Sequence, residues 1–347
     1  MSILTHSPAI VRDGLVLCLD AGAVRSYAGN LVTNGAFDAD SDWTKGTNWT
    51  IGSGAASHTA SSSSDLTQAV SELVEGKSYV CTYTISSYSA GDVRLVLGGT
   101  NGTYRGVTGG AQTWRETLTC GSTDSNVKFY GHTAFVGSID NVIVQEATWS
   151  DLSGNFNNGT LVNEPVFSAE SGAGGTKSFD FDGSSDYIDC GTGFNHTSNL
   201  TCEMWAKIDT GSCVMFAQWH NASNKRKWFI GVNSTNVWFY IDSAGSGTFT
   251  SVDGGAYPTD GEWHHYALVY TPSSSLVAYV DGESVGSDTS SVAASIYSST
   301  DVNIYIGRSE AGEYWDGKIA IARMYTKSLT ATEIQQNYRT HKGRFGK

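Results

Sequence analysis

Two histidines stand side by side at His264 and His265, in the run GEWHHYALVY at 261–270. On an extended strand successive side chains point to opposite faces, so the pair cannot readily share one metal ion or one proton. A packed or hydrogen-bonded structural pair is expected instead. Glycoside hydrolysis would need two carboxylates held roughly 5–10 Å apart. No strand offers them: Glu203 stands alone among apolar residues, and Asp180 and Asp182 flank a turn. The P-loop, H-E-x-x-H and the dinucleotide fingerprint are missing from the sequence, and a non-enzymatic protein is expected. Sugar binding suits the residue types better, because sugar rings stack their C–H faces on Trp and Tyr while polar rims fix the hydroxyls. Between residues 30 and 147 the candidates are Trp43, Trp49, Tyr88, Tyr104, Trp114 and Tyr130, with Arg94 and Arg105 nearby in sequence. Tyr88, Tyr104 and Trp114 are expected to form an exposed platform with Arg105 on its polar rim, since loops carry function. Oxygen ligands for calcium are plentiful. Asp151 with the 155–158 loop, and Asp182 with Asp186, are read as Asx-turns in preference to ion sites.

The elements that position these residues are strands. Gly numbers 40 and Pro only 4, and short β-prone runs alternate with Gly, Ser, Asn and Asp, the pattern of an all-β sandwich protein. At 347 residues there is room for two ordinary domains. The stretch 261–282 reads as a hairpin apolar on both faces, hence central in its sheet, with Asp281-Gly282 turning into the next strand. Residues 177–183 and 186–189 read as a second hairpin around an Asp-Gly-Ser-Ser turn. Thr330 and Glu333 form a capping box for a short helix over 331–338. The net charge of −13 argues against a nucleic-acid binder and against an anionic membrane surface. No apolar run approaches membrane-spanning length. The first residues lack a basic n-region and an apolar h-region, so synthesis in a cytosol without a signal peptide is expected. The six cysteines contain no C-x-x-C and are expected to be reduced.

The strings GEWHHYALVY and VAYVDGESV (277–285) resemble the central hairpin of the laminin-G-like, concanavalin-A-like jelly roll. FDFDG at 179–183, DYID at 186–189, LTCEMWAK at 200–207 and the L-T…E-I ending at 329–334 follow the same pattern. GLVLCLDAGAVRSY at 14–27 resembles the opening strand of such domains in tailed-phage structural proteins. There a W-x-D-x-S-G-N-x-N-N-G segment follows closely. Here that segment, WSDLSGNFNNG at 149–159, arrives only after a long intervening piece. That piece has its own order: N-G-x-F at 34–37, L-x-Q at 66–68, G-K-x-Y at 76–79 and I-D-N-V at 139–142. It resembles a carbohydrate-binding-module jelly roll.

The resemblance implies two antiparallel β-sandwich jelly rolls, one inserted into a loop of the other, plus a short C-terminal helix. The host would comprise residues 1–29 and 148–347, and the insert 30–147. It also implies that Trp43 or Trp49 is buried. In modules of this shape a structural ion often joins the first and last strands, which makes Asp38 and Asp140 the matching acids for Ca2+. The ending NYRTHKGRFG at 337–346 resembles those of phage virion proteins, so Lys342, Arg344 and Phe345 are candidates for assembly contacts; a frayed terminus is the other reading. The implied function is a virion component (tail, fibre or capsid decoration) that touches host-surface glycans. Its partners would be other virion proteins and further copies of itself, as in a trimer. The alternative is a free or cell-surface lectin.

Overall fold

The computed structural model describes residues 9–23, 29–107, 109–163, 165–169, 177–209, 213–220, 224–233, 235–309 and 312–347. The lead at 1–8 and the Cys213 side chain lie outside the described residues. The fold is all-β with antiparallel sheets and one short C-terminal helix. It divides into two compact units, residues 1–26 with 148–347, and residues 27–147.

The 27–147 unit is a sandwich of two five-stranded sheets. One sheet orders Thr44–Lys45, Ser64–Ala69, Asn126–Gly131, Val93–Leu97 and Thr100–Asn101. The other orders Trp49–Gly52, Ala55–His58, Val136–Glu146, Ser78–Ala90 and Gln112–Thr119. Period-two alternation sends one set of side chains inward from each strand. Phe37, Leu66, Tyr83, Leu95, Phe129 and Val144 fill the core, together with both Trp43 and Trp49. The ends of the unit are tied by Asn30. Its Nδ2 donates to the Val142 carbonyl at 3.1 Å, and its Oδ1 accepts from Val144 N at 2.9 Å.

The larger unit has two eight-stranded sheets. In the first, Asp316–Tyr325 is central. One edge pairs with Leu200–Ile208; the other carries Leu15–Asp20 and Lys177–Asp182 end to end. His264–Thr271, Ser275–Val280 and Glu283–Asp288 continue the sheet beyond Leu200–Ile208, so the expected central hairpin lies inside it. The Asp281-Gly282 turn has positive φ at both residues, 50° and 80°, as a two-residue hairpin requires. The second sheet orders Thr148–Trp149, Gly159–Val162, Tyr187–Asp189, Tyr305–Ile306, Cys213–His220, Lys225–Val232, Asn236–Asp242 and Phe249–Ala256.

The hairpin expected over 177–189 does not form. Lys177–Asp182 belongs to the first sheet and Tyr187–Asp189 to the second. The turn between them is a crossover. The Asp182 carboxylate accepts the backbone N–H of Ser184, Ser185 and Asp186 at 2.8–3.0 Å, and both serine hydroxyls. This Asx-turn redirects the chain to the other sheet instead of folding it back on the same one.

The helix Ala331–His341 starts at the expected capping box of Thr330 and Glu333 and runs three residues further than expected. It lies over the outer face of the first sheet, packing Ile334 and Leu329 on Ala267, Val269 and Tyr325. The two histidines serve structure, as expected, on opposite faces. His265 is fully buried, with Nε2 3.4 Å from Glu203 Oε2. His264 Nδ1 is 2.7 Å from Asp281 Oδ2 and Nε2 is 3.2 Å from Asp260 Oδ2. Burial disfavours the His264 cation and the Lys347 ammonium opposes it, but Asp281 and Asp260 outweigh both and raise its pKa above the ordinary value. A raised folded-state pKa stabilises fully below the unfolded value of about 6.5 and is lost as pH rises through the folded one. The melting temperature of the larger unit is therefore expected to fall as pH climbs from about 6.5. Calorimetry on His264→Gln should find that slope flattened; an unchanged slope would assign it to another group.

Candidate functional site

On Val93–Leu97, buried Val93, Leu95 and Leu97 alternate with half-buried Arg94 and Val96. On Asn126–Gly131, Val127 and Phe129 go inward and Lys128 and Tyr130 stay half-buried. The register sets Arg94 directly opposite Tyr130 on the outer face of that sheet. Tyr104 comes from the loop beyond Thr100–Asn101 and is 43% exposed. Its ring centre lies 6.5 Å from that of Tyr130 and 6.2 Å from His132, edge to face in both cases. The Arg94 guanidinium sits 4.6 Å from the Tyr104 ring centre and 5.3 Å from that of Tyr130. Cation–π attraction fixes the guanidinium plane against these rings.

A second pair sits at the neighbouring edge. Val93 and Arg105 exchange backbone hydrogen bonds at 3.0 and 2.7 Å. The Arg105 guanidinium lies 4.4 Å over the Trp114 ring. Trp114 is paired with the core residue Tyr83, so it faces the inner side of its sheet and packs on the core. Beyond it on the same strand, buried Glu116 accepts from Tyr83 Oη at 3.2 Å and from Thr103 N at 3.0 Å. Burial pushes the Tyr83 hydroxyl well above its ordinary pKa, and the Glu116 carboxylate adds to the effect. A Cβ at Gly102 would come within 2.7 Å of Glu116 Oε1, so the loop passes close over that carboxylate.

The four sugar-site candidates therefore stand in three places. Tyr104 is on an outer face with Arg94, Tyr130 and His132. Arg105 and Trp114 are joined at the sandwich edge. Tyr88 packs on the core and donates to the Gly91 carbonyl at 2.9 Å, holding a turn. Sequence reasoning placed Arg94 and Tyr130 only in the neighbourhood. The signal that finds them is register: both fall at outward positions of adjacent strands.

Asp38 is exposed. Asp140 is turned onto its neighbour, accepting from Asn141 N at 2.6 Å and Asn141 Nδ2 at 2.9 Å. Among the described residues no three His, Cys, Asp or Glu gather as a ligand set. Calcium takes six to eight oxygens, so Asp38 and Asp140 alone would not complete its shell. Asp151 is spent on an Asx-turn, its carboxylate accepting from Cys18 N, Ser153 N and Asn157 N. Two of the three assembly candidates make contacts within the larger unit itself. Lys342 is exposed, but Arg344 donates to Asp20 and to the Lys177 carbonyl. Phe345 is buried against Trp205, with ring centres 4.1 Å apart. The Phe345 ring thus packs on a strand of the first sheet.

Sequence reasoning did not single out one further arrangement. On the second sheet of the larger unit, the register lines up Asp189, Tyr305, Ala217, Phe229, Tyr240 and Ser251 across six strands. Trp219 and Val214 join Ala217, Phe229 and Tyr240 in a small cluster. Beside it a pocket of about 160 Å³ is lined by Phe229, Trp238, Tyr240, Asn233 and Glu313, among others. Each strand showed its aromatic residues at period two, but only cross-strand register assembles them.

Residues 182–335 match the family model described as the concanavalin A-like lectin/glucanases superfamily. Among solved structures, the chain is similar to the binding domain of Paraclostridial Mosquitocidal Protein 1, at 14% identity and a TM-score of 0.44, over 55% of this chain and 49% of that one. It is similar to the botulinum neurotoxin serotype C1 binding domain at 13% identity and a TM-score of 0.42, over 55% and 49%. It is also similar to domain 4 of AbnA, an extracellular arabinanase from Geobacillus stearothermophilus, solved in complex with arabinotriose, at 19% identity and a TM-score of 0.42, over 55% and 92%. The chain thus spans about half the length of the first two structures. No curated protein matches. On the family match, the larger unit carries a domain of the concanavalin A-like lectin/glucanase superfamily.

Proposed function

We propose that this chain is a non-enzymatic, glycan-binding structural protein of a tailed-phage virion, acting as a tail, fibre or capsid-decoration component. The 30–147 segment is its carbohydrate-binding-module-like jelly roll, inserted in the laminin-G-like host, and engages host-surface glycans. The observation that supports binding most directly is the outer-face cluster of Tyr104, Tyr130 and Arg94, where a 43% exposed aromatic ring is braced by a second ring and a guanidinium. Such a ring offers a flat face for sugar C–H groups without an ordering cost at binding. The virion assignment rests on the resemblance of residues 14–27, 149–159 and 337–346 to phage structural proteins. The host unit serves assembly with other virion proteins and with copies of itself, and repetition turns weak single-site affinity into avidity.

The intact protein, displayed on a glycan array, is expected to bind, and Tyr104→Ala to lose about tenfold in affinity, the equivalent of about 1.4 kcal/mol. Retained binding in that variant would remove Tyr104 from the site. Purified particles from the native source are expected to contain the chain. Its absence from particles, with glycan binding intact, would leave the alternative of a free or cell-surface lectin.

A further inference from the structure

We infer that the ligand of this site is an acidic saccharide, one carrying a carboxylate, sulfate or phosphate group, and that Arg94 is the residue that selects it. This rests on the glycan-binding reading above and deepens it. Three side-chain nitrogens in the 27–147 unit are buried without an acceptor among the described residues: Arg94 Nε, Arg105 Nε and Trp114 Nε1. All three belong to the two cation–π assemblies joined by the Val93–Arg105 bridge. Buried donors are nearly always satisfied in a folded protein, so three orphans in one neighbourhood call for an explanation.

The charges point the same way. The chain carries 34 Asp and Glu against 21 Lys and Arg, so acceptors are in excess. The unit's lysines use them: Lys45 pairs with Asp40, Lys77 with Glu146 and Lys128 with Asp124. Arg94 and Arg105 make no ion pair among the described residues and are held on aromatic faces instead. The nearby acids are Asp92, whose carboxylate lies beside Gly106, Asp65, opposite Tyr130 on the far strand, and Glu116, already engaged by Tyr83 and Thr103; none of them pairs with either arginine among the described residues. A guanidinium stacked on a ring keeps its in-plane N–H groups off the ring, and with Nε enclosed it is the Nη atoms of Arg94 that the oxygens of an oxyanion would meet. The neighbourhood holds donors in excess, and the missing partner is an acceptor group. Neutral sugars bring hydroxyls, which donate as well as accept. An acidic sugar brings the acceptor-only group this edge lacks.

The test is calorimetric titration of the full chain with matched probes. These are trigalacturonate against its carboxyl-reduced form, and 6-sulfated against unsulfated N-acetyllactosamine. At least one acidic member is expected to bind about tenfold or more tighter than its neutral partner. That preference should weaken as salt is raised and collapse in Arg94→Gln, whose fold should persist because the Arg94 side chain makes no hydrogen bond among the described residues and its backbone pairing is unchanged. Equal affinity for acidic and neutral members, abolished by Tyr104→Ala, would overturn the inference and leave the glycan reading standing. Preference that survives Arg94→Gln would overturn the role of Arg94. Failure to bind any acidic or neutral glycan, here or across a broad array, would overturn both readings.

Discussion

Arg323→Met is expected to destabilise the larger unit by about 3–5 kcal/mol, because it leaves a carboxylate buried without its principal partner. Glu203 and Arg323 face each other across adjacent strands of the first sheet, and both are almost completely buried. Arg323 Nη1 donates to Glu203 Oε1 at 2.7 Å. The helix above closes the site: Asn337 Nδ2 lies 3.2 and 3.1 Å from the two carboxylate oxygens and donates also to Tyr325 Oη at 3.0 Å. Burial pushes the Glu203 carboxyl up, yet His265 and Arg323 more than offset it and hold it down at about 2. A depressed folded-state pKa stabilises above the unfolded value, about 4.3, and is lost as pH falls toward 2. Thermal unfolding of Arg323→Met should drop by about 6–20 °C for a unit of this size. Replacing both partners, as in Glu203→Leu with Arg323→Met, removes the stranded charge and should recover most of the loss. A single variant no less stable than the parent would mean the pair is dispensable. A double variant as unstable as the single would mean that Asn337 and His265 need the carboxylate.

This network also marks how far the sequence could be read. Glu203 was visible as one acid in an apolar strand, without a second carboxylate near it in sequence. Its partners were not visible, because Arg323, Asn337 and His265 are far away in sequence and meet it only through strand order and the helix that covers that order. The central hairpin was legible for the opposite reason: its turn, register and both faces are set within one short stretch, ending in the Asp281-Gly282 turn. The 177–189 segment misled because Asp-Gly-Ser-Ser is equally good chemistry for a hairpin and for an Asx-turn between sheets. Only the competition of Asp316–Tyr325 for the Lys177–Asp182 edge decides between them.

The candidate sugar site shows the same limit. Tyr104 stood out with Tyr88 and Trp114 as a candidate platform, with Arg105 nearby in sequence. That Arg94 belongs with Tyr104 and Tyr130 depends on one register, Arg94 opposite Tyr130. A slip of one residue would have turned Arg94 inward. Tyr88 was indistinguishable by type from Tyr104, yet its hydroxyl closes the Gly91 turn. Residue type proposes a binding ring, and exposure with an unspent partner selects it.

Phe345→Ala is expected to cost the larger unit about 3 kcal/mol, the scale for deleting a buried phenyl ring. The ring stacks on Trp205 at 4.1 Å and 11°, and lies 5.1 Å from the Trp263 ring. Tyr338 from the helix stacks parallel to the same indole at 5.6 Å. Trp205 is thus covered by two rings supplied by the helix and the residues after it. Removing one opens a void against a fully buried indole. The adjacent Arg344 adds the tie to Asp20 and to the Lys177 carbonyl, which binds the chain end to two further strands. Together these contacts make residues 342–347 a clasp on the unit's own outer face. The measurement is a denaturation midpoint with the oligomeric mass recorded alongside it. A lower midpoint with unchanged mass supports the clasp, and Lys342→Ala, at an exposed position, should leave the midpoint where it was. An unchanged midpoint with loss of the oligomer would return Phe345 to the assembly surface, with the ring freed from Trp205 when copies meet.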